Sequence, residues 1–190
     1  MNPIDKNDNI SRLGTLGSGS VNPGSILFYR RDSIQTSSNP YALYVAASVT
    51  ASDMLDKVLP NSKIYDTLYN ILEQNILNAV EATALKWKGN QFVGAEIRCR
   101  AFVKDEELWL QIIDNGNGFP LKNINEIGKK VVFPNTRNII PSRLSLDGQD
   151  NHLFNAAQTL EQLGGRLVVL NSDETKGACV SVVIPCQTIK

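Results

Sequence analysis

Between Asn61 and Lys86 the apolar residues recur at helical spacing. At about 100° per residue Leu68, Leu72, Ile76, Ala79 and Thr83 share one face, so the pattern predicts a single long helix with that face on a core. Asn61 or Ser62 can cap its start, Asp66 suits the positive end of its dipole, and Gly89 stops it. About a third of a turn away Gln74, Asn78 and Glu81 form a polar stripe at i, i+4 and i+7. Asparagine is a middling helix former, so propensity does not account for Asn78.

From Gly94 to Val103 the period shortens to two. Ile97, Cys99, Ala101 and Val103 alternate with Glu96, Arg98 and Arg100, the signature of a half-buried strand. The turn Lys104 to Glu107 returns the chain through Leu108, Leu110 and Ile112, and this second strand ends at Asp114. Leu153, Ala156, Ala157, Leu160 and Leu163 mark a further amphipathic helix stopped by Gly164 and Gly165. Two strands follow, 166–171 and 178–185. Ahead of all this, residues 1–24 scatter glycines among serines and asparagines and read as a flexible arm. Residues 25–30 suit a short strand. The stretch from Tyr41 to Leu59 mixes strand-like and helix-compatible runs, so residues 25–60 carry no domain assignment, and Pro60 closes them.

Composition narrows the class. With 42% hydrophobic residues and a formal net charge of zero, the chain reads as one soluble globular domain with a tail, and lacks the basic excess of a nonspecific nucleic-acid binder. No apolar run approaches the roughly 20 residues of a membrane span, and the polar start lacks a secretory pattern, so neither nucleic acid nor membrane is expected as a partner. The three cysteines, Cys99, Cys179 and Cys186, show no metal-ligand spacing and suit reduced thiols in the cytoplasm.

The candidate chemistry lies where the second strand breaks into Asp114-Asn-Gly-Asn-Gly118. A carboxylate at the mouth of a buried strand, followed by Gly116 and Gly118, lets backbone approach a flat polar ligand that one carboxylate can recognise. Asp-Asn-Gly also makes an ordinary turn, so the neighbours decide. After Pro120 come about 28 residues without regular period, long enough to suggest a functional loop, with Lys129, Lys130, Arg137 and Arg143 as either phosphate contacts or solvated charges.

Taken in order, these elements resemble the ATP-binding domain shared by sensor histidine kinases, DNA gyrase, the Hsp90 chaperones and the MutL repair proteins, over residues 64–185. Leu77-Asn78-Ala79 is similar to the family's N box and Asp114-Asn-Gly-Asn-Gly118 to its G1 box. Leu160-Glu-Gln-Leu-Gly-Gly-Arg-Leu and Lys176-Gly-Ala-Cys-Val-Ser-Val-Val-Ile-Pro185 resemble the histidine-kinase ending. The resemblance implies an α+β fold for residues 61–190, a two-layer sandwich of the Bergerat type with a mixed, mostly antiparallel sheet and helices on one face. It implies ATP and Mg2+ as cofactors, with Asn78 on the metal, Asp114 on the adenine amino group, and Gly116, Gly118 and Gly148 shaping the nucleotide site. A hard amide oxygen suits magnesium, and a carboxylate accepts from adenine where guanine presents a carbonyl.

The departures from that family matter as much. Where related ATPases place a water-activating Glu, four residues before Asn78, this chain has Gln74, which cannot act as a general base, and Glu73 points about 100° away around the helix. The second glycine box aligns with Gly148-Gln-Asp-Asn-His152, so Asp150 and His152 replace two glycines and Asp150 opposes phosphate. Cys179 stands where kinases often have Thr. The only histidine, His152, is not on a preceding dimerisation helix, and so no phosphoacceptor is recognised. Two readings stand. One is an ATP-dependent protein kinase in two-component signalling that acts in trans on a protein partner carrying the phosphoacceptor or a response regulator, as a monomer or homodimer. The other is a degenerate adaptor that uses the fold to bind protein.

Overall fold

The computed structural model describes residues 25–33, 39–87, 94–119 and 152–189. In chain order these form β1 (Ser25–Ser33), α1 (Pro40–Val58), α2 (Tyr65–Lys86), β2 (Glu96–Lys104), β3 (Glu107–Asp114), α3 (His152–Gln162), β4 (Arg166–Asn171), β5 (Ala178–Pro185) and a closing 3-10 turn, Cys186–Ile189. The strands make one sheet in the order β1-β2-β3-β5-β4, and every pairing among them is antiparallel. The helices and this sheet form the α+β sandwich that the resemblance implied.

The unassigned stretch is a helix. Asn39 caps α1 by accepting the Tyr41 N–H at 2.9 Å, and Pro40 occupies the first helical position, where its missing N–H costs nothing. Leu43, Ala47, Ala51, Met54 and Leu55 then fall buried at helical spacing. The next helix starts later than the sequence predicts. Asn61 takes a positive φ of 66° in the turn after Pro60, Ser62 receives only a long 3.4 Å bond from Ile64, and α2 begins at Tyr65 without a side-chain cap. Its expected core face, Leu68, Leu72, Ile76, Ala79 and Thr83, is buried throughout. One such leucine withdrawn from water contributes about 1.5–3 kcal/mol, so this face, more than the missing cap, holds the helix.

Asp105 and Glu106, both at positive φ, make the tight turn between β2 and β3, and the register set there brings Ile97 opposite Asp114. Ile97, Cys99, Ala101, Leu110, Ile112 and Val182 join the helices in the main core. The other face departs from the half-buried expectation, because Glu96 and Arg100 are also buried. Arg100 Nε donates to Gln111 Oε1 at 2.8 Å, Gln111 Nε2 donates to Ser181 Oγ at 2.9 Å, and the guanidinium lies over Phe102. Glu96 is paired with both Arg31 and Arg98. Charges can be withdrawn from water there because strands far apart in sequence supply their partners.

Candidate functional site

β3 carries Asp114 to the edge of the helix layer, where its side chain is only 3% exposed. Its Oδ1 accepts two backbone N–H groups, Gly116 at 2.7 Å and Ala178 at 3.2 Å. Oδ2 accepts no hydrogen bond from the described residues, which leaves it for a ligand donor. Burial pushes the carboxyl up to about 6, with the Ala178 and Gly116 N–H bonds and the Lys86 charge pulling it back.

The surrounding backbone is packed so closely that three glycines are required. A Cβ on Gly177 would lie 2.3 Å from the Asp114 carbonyl oxygen and 2.5 Å from Oδ1, so the β4–β5 turn sits directly against the acid. One on Gly116 would lie 2.7 Å from the Ala82 carbonyl carbon, which presses the turn after β3 onto α2. Gly118 adopts a φ of +71° against Asn171. Thr175 Oγ1 donates to the Asp114 carbonyl. Asn171 grips Phe119 twice, accepting its N–H at 2.7 Å and donating to its carbonyl at 2.9 Å. Lys86, at the end of α2, donates to the carbonyls of Asn115 at 2.5 Å and Gly116 at 3.2 Å. The backbone around Asp114 is thus held from α2 on one side and from the β4–β5 turn on the other.

Ala82 also locates Asn78. One turn earlier on α2, about 6 Å along the axis, Asn78 lies on the strip that meets Gly116 and is half-buried. Gln74 follows one turn further back, and its buried Oε1 has no partner among the described residues; neither amide atom of Asn75, 2% exposed, has one. Glu73 is turned away as its helical angle predicts, and accepts the Tyr44 hydroxyl of α1 at 2.6 Å. The structure therefore brings Asn78, Asp114, Gly116 and Gly118 to one end of the sandwich. Gly148, Asp150, Lys129, Lys130, Arg137 and Arg143 lie outside the described residues, whereas His152 opens α3. Cys179 sits within β5 opposite Ile113 with its thiol 3.9 Å from Ser181, and burial pushes that thiol up to about 11; the hydroxyl that reaches Asp114 belongs to Thr175. Thr175, Asn171 and Lys86 were not singled out from the sequence. Their only signal is proximity to the glycine turns once the sheet register is known.

A deeply buried carboxylate with one oxygen that no described residue engages, in a notch of close-packed glycine backbone, suits a planar ligand with an exocyclic amine. The unpaired amide oxygens along α2 suit hydrated polar groups. No helix among the described residues is long and apolar enough to cross a membrane. No curated protein sequence matches the chain. Among solved structures it is similar to the mycobacterial sensor histidine kinase MprB, at 17% identity over 74% of this chain and 94% of that one, with a TM-score of 0.49. It is also similar to the ATP-binding domain of PrrB from Mycobacterium tuberculosis, at 20% identity over 83% and 96%, TM-score 0.44. The histidine kinase domain of the E. coli osmosensor EnvZ matches at 13% identity over 87% and 92%, TM-score 0.41. Residues 64–188, from the turn before α2 to the closing 3-10 turn, match the family of histidine kinase-, DNA gyrase B- and HSP90-like ATPases, and the chain belongs to that family.

Proposed function

We propose that this chain binds ATP with magnesium between α2 and the turn after β3, and serves in signalling as a kinase-type domain whose phosphoacceptor lies on a partner protein. The observation that carries the reading is Asp114: its Oδ1 is engaged by two backbone N–H groups, and its Oδ2 is left to accept from the adenine amino group. Asn78 supplies a neutral oxygen on the adjoining strip of α2, a donor type that fits magnesium, and the metal when bound neutralises phosphate charge. Thr175, Lys86 and Asn171 position the backbone around Asp114, and Gly116 and Gly177 keep side chains out of it.

Gln74 stands where a water-activating carboxylate would be needed, and Glu73 is held by Tyr44, so the described face of α2 supports nucleotide retention and transfer better than hydrolysis. The same observation favours a second reading, an adaptor that holds nucleotide without turnover. Calorimetric titration with ATP and ADP, with and without magnesium, tests the binding. Asp114→Asn removes the charge from the acceptor and weakens affinity by about 1.5–3 kcal/mol, roughly tenfold to a hundredfold; unchanged affinity excludes Asp114 from the site. Incubated alone with labelled ATP, the chain gains no acid-labile phosphate. Self-labelling that disappears in His152→Ala would contradict action in trans.

A further inference from the structure

On the sheet face turned away from the helices, one row crosses all five strands in register. Ile26 pairs with Phe102, Phe102 with Trp109, Trp109 with Val183, and Val183 with Arg166. The Phe102 and Trp109 rings stack at 5.8 Å and 12°, with the Arg100 guanidinium 5.5 Å over the first and that of Arg166 5.5 Å over the second. A guanidinium over a ring face does not shield the ring's outward edge, yet Phe102 and Val183 are 0% exposed and Trp109 7%. Around them Ile26 and Val168 pack, and no described helix residue joins this cluster. Trp109 Nε1 is buried with no acceptor among the described residues, although an indole N–H taken out of water ordinarily finds one. What covers the row is therefore apolar and carries a hydrogen-bond acceptor. We propose that residues 10–21 of this same chain form the cover, laid across the strands.

Chain connection and composition select that occupant. Trp109 precedes Asp114 on β3 by five residues, about 17 Å, so the row lies at the end of the sheet away from the nucleotide turn. Residues 34–38 follow Ser33, whose partner is Glu96, and residues 88–93 lead towards Glu96, so both stretches meet the sheet at the Asp114 end. Residues 120–151 leave from Phe119, which Asn171 holds beside that turn, and enter α3 in the helix layer. Of the longer stretches outside the described residues, only 1–24 joins the sheet beside the row, at Ser25. Asn22-Pro23-Gly24 is a turn signal that suits folding back from the sheet edge onto its face. Five strands are four spacings of about 4.8 Å, so about six extended residues cross them. Residues 10–21 are long enough and bring Ile10, Leu13, Leu16 and Val21, with Arg12 as their one charge. Their backbone carbonyls supply the acceptor that Trp109 lacks, whereas a lipid surface would cover the rings and leave the indole N–H unpaired. The row is remote from Asp114, so the cover stands independently of nucleotide binding.

Fluorescence of the full chain tests the proposal. Trp87→Phe leaves Trp109 as the sole tryptophan. In that background Leu13→Asp with Leu16→Asp is expected to move Trp109 emission to longer wavelength and to raise its quenching by acrylamide several-fold, because a charged arm no longer seats on the rings. Far-ultraviolet dichroism is expected to stay unchanged, since neither position lies in a helix or strand. Cross-linking gives a second measurement that needs no aspartate. With Cys186→Ser as background, Leu16→Cys and Val168→Cys are expected to be joined within one chain by a short bis-maleimide, and Cys99 and Cys179 are buried. Mixing isotope-labelled and unlabelled chains before linking separates joins within a chain from joins between chains by mass. A Trp109 spectrum that the two aspartates leave unmoved overturns the proposal. So does the absence of any link, and links found only between chains would give the row to a second copy instead.

Discussion

Gly177→Ala tests the site through a residue that no ligand needs to touch. Gly177 has no positive φ, so alanine meets no backbone strain there, and the whole effect is steric. The new methyl carbon would start 2.3 Å from the Asp114 carbonyl oxygen, 2.5 Å from its Oδ1 and 2.7 Å from its carbonyl carbon. Backbone has to yield, either in β3 at Asp114 or in the β4–β5 turn. Overpacking of this kind costs about 1–3 kcal/mol, a fall of several degrees in melting temperature for a domain of this size. The adjacent Ala178 N–H bond to Oδ1 is the contact that any such movement lengthens first. Loss of one charge-assisted bond and displacement of the acceptor should weaken ATP and ADP binding by about tenfold or more.

Gly164→Ala is the matched control. Gly164 sits at φ +71° with nothing within 4 Å of an added Cβ, so alanine there costs about 1–2 kcal/mol of strain far from Asp114. Calorimetric titration and scanning calorimetry on both variants separate the effects. Both should melt earlier, and only Gly177→Ala should lose nucleotide affinity. Equal affinity in the two variants, at the natural chain's value, would refute the assignment of the β4–β5 turn to the nucleotide site.

Asp114 also sets a pH dependence. Its pKa is raised from 3.8 to about 6, so the folded carboxyl keeps its proton as pH rises past the unfolded value; the resulting stabilisation is present at low pH and is lost as pH climbs through about 6. The ionised form is the stronger acceptor for adenine, so ATP affinity should rise between about pH 5 and pH 7, and an affinity flat across that range, or equally steep in Asp114→Asn, would remove the carboxylate from recognition. Lys86→Met deletes the cation that favours the ionised acid and frees the Asn115 and Gly116 carbonyls. It should lower affinity several-fold and move the pH midpoint upward, with Lys86→Arg restoring both; a lower affinity with an unmoved midpoint would reduce Lys86 to a structural tie. Asn171→Ala removes both bonds to Phe119 and should increase amide exchange at Phe119 and Gly118, read by hydrogen exchange, with little change in melting temperature.

The sequence by itself determined the parts whose signal repeats within a turn or a strand. The core face of α2, the period-two β2–β3 hairpin, the glycine-stopped α3 and the turn at Asp114 all follow from neighbours a few residues apart. Asn78 and Asp114 were visible as residues out of keeping with their local pattern. Tertiary structure decided what depends on distant partners. Residues 41–58 suit helix or strand locally, and become helix because Asn39 caps them and Leu43, Ala47 and Met54 find a core. Arg100 looked like a solvated charge until Gln111 and Ser181, on two other strands, gave it a buried place. Ala178, whose N–H holds Asp114, lies 64 residues away, and Gly177 matters only because the register of β3 with β5 brings its backbone against that acid. Such contacts leave no periodic trace, since their energy comes from the closing of the sheet and not from the local chain.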